Sequence, residues 1–211
     1  MSNRSRRAKI DPDEHYVSRA AYKLDSVLDD LKLDFRGKTV LDVGSSTGGF
    51  SDYALRHGAA KVIAVDKGSN QIHQSLKLNS KLELHEKTDI RKFVPKDLVD
   101  IVLIDVSFVS LKQILPYIVS VLLKPAVIVA MAKPQFETRD SALINNGIIK
   151  NERIRRKLLG DLESWLRESF LIDVKVDSKI HGLKGNRERF YKLEPIHKKP
   201  LSIHQNNSKL Q

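Results

Sequence analysis

The sequence predicts an α/β fold: a mostly parallel seven-stranded sheet with an antiparallel last strand and helices on both faces. Three observations predict it. Short runs with apolar residues on both faces recur along the chain, and segments with helical apolar spacing separate them. A glycine-rich turn directly follows the first run. Strands buried on both faces and alternating with helices are the pattern of a covered parallel sheet.

Each element follows in order. Ser18 can cap a helix on which Ala21, Leu24, Val27, Leu28 and Leu31 recur at helical spacing. Lys23 falls beside that stripe, next to Ala20 and Val27, and Gly37 closes the segment. Residues 39–43 read as the first strand, with a helix over 49–57 beyond the glycine-rich turn. Residues 62–65 form the second strand, ending at Asp66, and a polar helix follows over 70–78. Residues 82–84 are a weaker third strand, and 101–104 a fourth ending at Asp105. A helix over 111–123 leads through Pro125 to a fifth strand, 127–132, ending at Lys133. Residues 134–150 are polar and irregular, with Asn145-Asn146-Gly147 as a turn signal. An amphipathic helix over 151–169 carries Ile154, Leu158, Leu162, Trp165 and Leu166, which makes Trp165 a core residue. Strands over 172–176 and 189–193 are joined by a hairpin-like link with Gly182 and Gly185, so the last strand runs antiparallel.

Composition bounds the function. Of 211 residues, 37 are Lys or Arg and 26 Asp or Glu, a formal charge of +11. Such a balance favours a polyanionic partner. There is no cysteine, which excludes disulfides, thiolate catalysis and cysteine-ligated zinc or iron–sulfur sites. The longest apolar stretch, 126–132, falls well short of the ~18 residues of a membrane helix. The first residues are basic and polar, unlike a signal peptide. A soluble, cytoplasmic protein is expected. Residues 1–15, with Arg4, Arg6, Arg7 and Lys9, read as a flexible basic arm, 16–195 as the folded domain, and 196–211 as a disordered polar tail.

Ligands of open parallel sheets bind beyond the carboxyl ends of the strands. Here those ends are polar one after another: Asp42, Asp66, Asp105 and Lys133, with Asp89 after the third strand. An antiparallel final strand brings its beginning, Glu188, to the same rim. The first turn, Asp42-Val43-Gly44-Ser45-Ser46-Thr47-Gly48-Gly49-Phe50, lets backbone approach a ligand closely ahead of a helix N-terminus. Asp66 lies 22 residues after Gly44, where an acid can hold both ribose hydroxyls. The turn is neither Gly-x-Gly-x-x-Gly nor a P-loop, which counts against NAD, FAD and ATP and favours S-adenosylmethionine (SAM), a cofactor with no pyrophosphate.

Five segments in this order carry a family resemblance: Val17-Ser18-Arg19-Ala20-Ala21-Tyr22-Lys23-Leu24, the glycine-rich turn, Asp105-Val106-Ser107-Phe108-Val109-Ser110-Leu111, Lys133-Pro134-Gln135-Phe136-Glu137 and Gly185-Asn186-Arg187-Glu188. From about Tyr16 to Leu193 the chain resembles the hemolysin A (TlyA) family of SAM-dependent ribosomal RNA 2′-O-methyltransferases, a branch of the FtsJ-like, Rossmann-like methyltransferase fold. The resemblance implies methylation of the cytidine ribose 2′-oxygen, ribosomal RNA or ribosomal subunits as partner, and a catalytic set on Lys23, Asp105, Lys133 and Glu188. It also implies a small S4-like RNA-binding domain ahead of the Ser-Arg motif. With 17 residues before Ser18, no such domain is expected in this chain, and Ala20-Ala21 replaces the family's Gly-Gly.

Lys133 is then the expected base or oxyanion stabiliser. Burial and the nearby Lys23 ammonium would lower its proton affinity from the usual ~10.4, while Asp105 and Glu188 would raise it. The expected cofactor contacts are Asp42, Gly44, Ser46 and Asp105, with Ser45, Thr47, Gly48, Gly49 and Phe50 at the methionine part, Asp66 at the ribose and Asp89 at the adenine amino group. No metal is expected, the histidines read as surface or packing residues, and a homodimer is left open. A catalytically silent RNA-binding protein, a membrane-active hemolysin and a dinucleotide-dependent oxidoreductase are the competing readings. The first requires loss of a catalytic position, the second an apolar span or a strongly amphipathic basic helix, the third a different glycine pattern.

Overall fold

The computed structural model describes residues 15–182 and 185–196. The expected basic arm, apart from His15, and the expected tail, apart from Ile196, lie outside the described residues.

The first apolar stripe folds as two short helices, α1 (Arg19–Asp25) and α2 (Leu28–Leu31), where one was expected. The break has a local cause. The Ser26 hydroxyl donates to the Lys23 carbonyl at 2.6 Å, a local bond that competes with the helical ladder. The stripe survives the break: Ala21, Leu24, Val27, Leu28 and Leu31 are all buried. Ser18 sits at the N-cap position of α1, but its side chain makes no capping bond.

The alternation then follows: β1 (Thr39–Val43), α3 (Gly49–Arg56), β2 (Lys61–Val65), α4 (Gln74–Lys77), β3 (Leu82–His85), β4 (Ile101–Ile104), α5 (Leu111–Val121), β5 (Val127–Ala132), α6 (Glu152–Leu166), β6 (Phe170–Asp177) and β7 (Arg189–Pro195). The polar helix expected over 70–78 shrinks to the four residues of α4. Its first half is a loop, because the Glu86 carboxylate accepts from the Asn70 and Gln71 amides at 2.8 and 2.9 Å and Asn70 adopts φ +58.

The seven strands pair in the order β3-β2-β1-β4-β5-β7-β6. β1 to β5 run parallel, and β7 inserts between β5 and β6, antiparallel to both. Alternate side chains of each strand feed opposite faces. Leu41, Val43, Val102 and Ile104 pack toward α5 and α6 with Leu115, Leu159 and Leu162. Val40, Ile101 and Leu103 pack toward α1, α2 and α3 with Leu24, Leu31 and Tyr53. The order reverses between β1 and β4, which opens a crevice at their carboxyl ends. Trp165 packs against the first of these clusters, as expected. Among the described residues no helix is long and apolar enough to cross a membrane.

Candidate active site

The crevice is built around Gly44. It takes φ +82, and a Cβ there would stand 2.7 Å from the Asp105 carbonyl oxygen. Only glycine lets the ends of β1 and β4 approach this closely. Asp66, at the end of β2, braces the turn: Oδ2 accepts from the Ser46 amide at 2.8 Å and Oδ1 from the Gly68 amide at 2.6 Å. Each oxygen keeps a second lone pair.

Two cavities meet over this floor. The larger, about 610 Å³, is lined by Asp66, Asp89, Ile90, Val106 and Phe108 among others. The smaller, about 140 Å³, is lined by Ser18, Asp42, Ser45, Thr47, Phe50 and Lys133 among others. Gly44, Ser46, Asp105 and Ser107 border both. The shape is an elongated slot with one roomy end and one narrow, polar end.

Asp42 is the floor of the narrow end. It is 1% exposed, and its Oδ2 accepts from the Ser51 hydroxyl at 2.6 Å. Burial pushes its carboxyl up to about 7, helped by the nearby Asp105 and Asp66 carboxylates and opposed by Ser51. Its Oδ1 and the Ser45 hydroxyl are buried without a hydrogen-bond partner. Buried polar atoms left open beside a cavity call for a ligand that carries donors or positive charge.

The four expected catalytic residues form two lysine–carboxylate pairs. Lys133 Nζ stands 2.6 Å from Asp105 Oδ1 and donates to Ser107 Oγ at 2.8 Å. Asp105 Oδ1 takes part in no aligned hydrogen bond, so the short contact is an ion pair rather than a directed bond. Lys23 Nζ donates to Glu188 Oε1 at 3.0 Å, with both side chains nearly buried. Sheet register joins the pairs: Ala132 of β5 faces Arg189 of β7, so Lys133 and Glu188, one residue beyond each, flank the same rung. Glu188 Oε2 is buried and unpartnered.

The expected cofactor set divides. Asp42, Gly44, Ser45, Ser46, Thr47, Phe50, Asp66, Asp89 and Asp105 line the two cavities. Gly48 and Gly49 do not. A Cβ on Gly48 would run into Leu76 and Ile72, and one on Gly49 into Ser18 and Ala20. Their smallness serves the packing of α3 against its neighbours. Asp89 lines the larger cavity, but Arg91 claims its carboxylate first, with Nε at 3.0 Å and Nη2 at 2.6 Å. That hydrogen-bonded fork holds the Asp89 carboxyl well below its usual range.

Sequence reasoning assigned no role to Ser107 or Phe108, although both lie in the Asp105-Val106-Ser107-Phe108-Val109-Ser110-Leu111 segment. Phe108 is 91% exposed at the mouth. Its φ of +64 is strained for a bulky residue. It packs near Phe136, ring centroids 5.0 Å apart. An exposed aromatic held in a strained conformation beside a polar slot was the signal available only in three dimensions. Among the described residues no three His, Asp or Glu side chains gather where a metal ion could be held.

The model of the FtsJ-like methyltransferases matches residues 16–194. The 23S rRNA (cytidine-2′-O)-methyltransferase TlyA of Campylobacter jejuni is 39% identical over 180 residues, covering 84% of this chain and 70% of that protein. The 16S/23S rRNA (cytidine-2′-O)-methyltransferase TlyA of Mycobacterium tuberculosis is 34% identical, covering 85% of this chain and 69% of that protein. A solved structure described as a hemolysin from Streptococcus thermophilus superposes with a TM-score of 0.81 at 34% identity, covering 88% of this chain and 69% of that one. Matches of this extent and identity establish that the chain belongs to the FtsJ-like methyltransferase family, on its TlyA branch.

Proposed function

We propose that the protein transfers the methyl group of SAM to a ribose 2′-oxygen of ribosomal RNA, at cytidine, in the cytoplasm where ribosomes are assembled. The observation that carries this reading is the convergence of the Lys133–Asp105 and Lys23–Glu188 pairs on one rim, beside a slot with a roomy and a narrow end.

The residues fit the cofactor. Asp42, with its open Oδ1, and Ser45 would take the amino-acid end at the narrow cavity, and Asp66 the ribose hydroxyls. Gly44 keeps clear the floor that a Cβ would fill. Asp89 and the Ile90 backbone would flank the base. When bound, SAM supplies an electrophilic methyl on a sulfonium, already activated, so positioning is the protein's main contribution.

The chain's own groups do the rest. Lys133, as the ammonium paired with Asp105, would electrostatically balance the charge that develops on an entering 2′-oxygen, whose proton would pass to solvent. Asp105 holds that ammonium in place by charge. Lys23 and Glu188 orient the ribose from the other side, with Glu188 Oε2 free to accept from a hydroxyl. Phe108 offers an exposed ring on which an unstacked base can lie. The net charge of +11 suits a ribosomal RNA partner.

Neither alternative gains support. All four catalytic positions are present and paired, which a silent RNA binder would not need. The apolar face of α6 is spent on the core through Leu159, Leu162 and Leu166, leaving no free amphipathic face there for a membrane. The decisive experiment is transfer of labelled methyl from SAM to ribosomal subunits, followed by mapping of ribose methylation. Label at a cytidine 2′-oxygen supports the reading. Label in protein or lipid, or none with intact subunits, overturns it.

A further inference from the structure

Lys133 has two neighbours of different character. The Asp105 carboxylate is closer, at 2.6 Å, but misaligned. The directed bond goes to the Ser107 hydroxyl at 2.8 Å. A charge contact without alignment holds a flexible four-carbon side chain at a distance but not at an angle. A directed bond holds both.

Ser107 is suited to that task because its own backbone is pinned on both sides. Upstream, Asp105 is locked against the bare face of Gly44 and its amide donates to the Val43 carbonyl at 3.0 Å. Downstream, Phe108 turns the chain through φ +64. Beyond it, the Ser110 hydroxyl donates to Glu137 Oε2 at 2.6 Å and the Leu111 amide to Glu137 Oε1 at 3.0 Å. Glu137 follows Lys133 by four residues, so the segment that carries the lysine also clamps the turn that carries the serine. The strain at Phe108 is tolerated because these bonds over-determine the turn. Ser107 borders both cavities. With its oxygen accepting from Lys133, its single hydroxyl hydrogen is left to point elsewhere.

We propose that Ser107 is the positioning residue for Lys133, fixing the direction of the ε-ammonium toward the spot where the target oxygen enters, while Asp105 supplies charge without direction. This rests on the proposed methyl transfer for its catalytic consequence, but not for the geometry itself. Removing the hydroxyl lets the ammonium swing fully onto the carboxylate, so the loss appears in the rate of transfer and not in binding.

The test compares wild type with Ser107→Ala and Ser107→Thr in two assays. In steady-state transfer to ribosomal subunits, Ser107→Ala lowers kcat about tenfold, the share of a single directed hydrogen bond, with the KM for RNA and calorimetric SAM affinity unchanged. Ser107→Thr, which keeps the hydroxyl, recovers most of the rate. In the second assay, the Lys133 amine is methylated chemically with formaldehyde and borohydride and the product measured by mass spectrometry. Its reactivity changes severalfold in Ser107→Ala and stays near wild type in Ser107→Thr. Wild-type kcat in Ser107→Ala, or SAM affinity falling in step with the rate, overturns the proposal. So does an unchanged Lys133 reactivity. If Ser107→Ala does not fold, Ser107→Thr and Ser107→Cys are compared instead, and equal rates and reactivities overturn it. A wild type that methylates no RNA defeats the proposed function, while the amine reactivities still decide the role of Ser107.

Discussion

Asp42 shows how one side chain ties stability to the site. Burial holds its carboxyl at about 7, above the ordinary carboxylate value, so the folded state grips the proton harder than the unfolded state. The stabilisation from the neutral form is complete in acid and is lost as pH rises through about 7. Asp42→Asn, which cannot ionise but still accepts from Ser51, therefore gains on wild type by about 2 kcal/mol between about pH 5 and pH 8, read from denaturant melts at the two values. A difference independent of pH would show that Asp42 is ionised throughout. Lys133→Ala abolishes transfer and leaves calorimetric SAM affinity within about threefold, because the lysine borders the narrow cavity without filling it. Gly44→Ala does the reverse of a local change. Its Cβ meets the Asp105 carbonyl, so SAM uptake and thermal stability fall together.

At the scale of elements, β7 is held by charge as much as by its ladder. Arg155 of α6, 3% exposed, donates to Asp177 of β6 at 2.7 Å and to the Arg187 carbonyl at 3.0 Å. Arg189 reaches Asp177 at 2.6 Å and Glu163 at 3.1 Å. Burial pushes the Asp177 carboxyl up, but the bonds from Arg189 and Arg155 outweigh it and leave the group below its usual range. This network fixes the segment that begins β7, and so sets Glu188. Removing one partner leaves buried charge behind, so Arg155→Ala costs about 3 kcal/mol in chemical denaturation, and more than Arg155→Lys. A loss under about 1 kcal/mol would mean that water already screens the network. The same elements show where sequence reading stopped short. The Ser26 hydroxyl split the first helix, and Glu86 unwound the start of α4. Both are polar side-chain competitions with the ladder, which apolar spacing does not register.

For the whole molecule, the formal charge of +11 sets the expected binding behaviour. Phosphate contacts release counterions, so affinity for ribosomal RNA falls linearly with salt on a log–log plot, by at least about tenfold from about 50 to 200 mM. Filter binding across that range measures it, and a flat plot would remove electrostatics as the source of affinity. SAM affinity over the same range changes far less, since a small ligand releases few counterions compared with an RNA backbone.

The amino-acid order alone determined the succession of elements, the polar strand ends and the glycine turn. Periodicity and composition are local properties, written within a few residues of where they act. Tertiary structure alone decided which of those polar ends became partners. Lys23 meets Glu188 across 165 positions only because β7 slots between β5 and β6. The bond from Lys133 to Ser107 rather than squarely to Asp105 is a matter of angle, and angle is set by packing that no single segment contains.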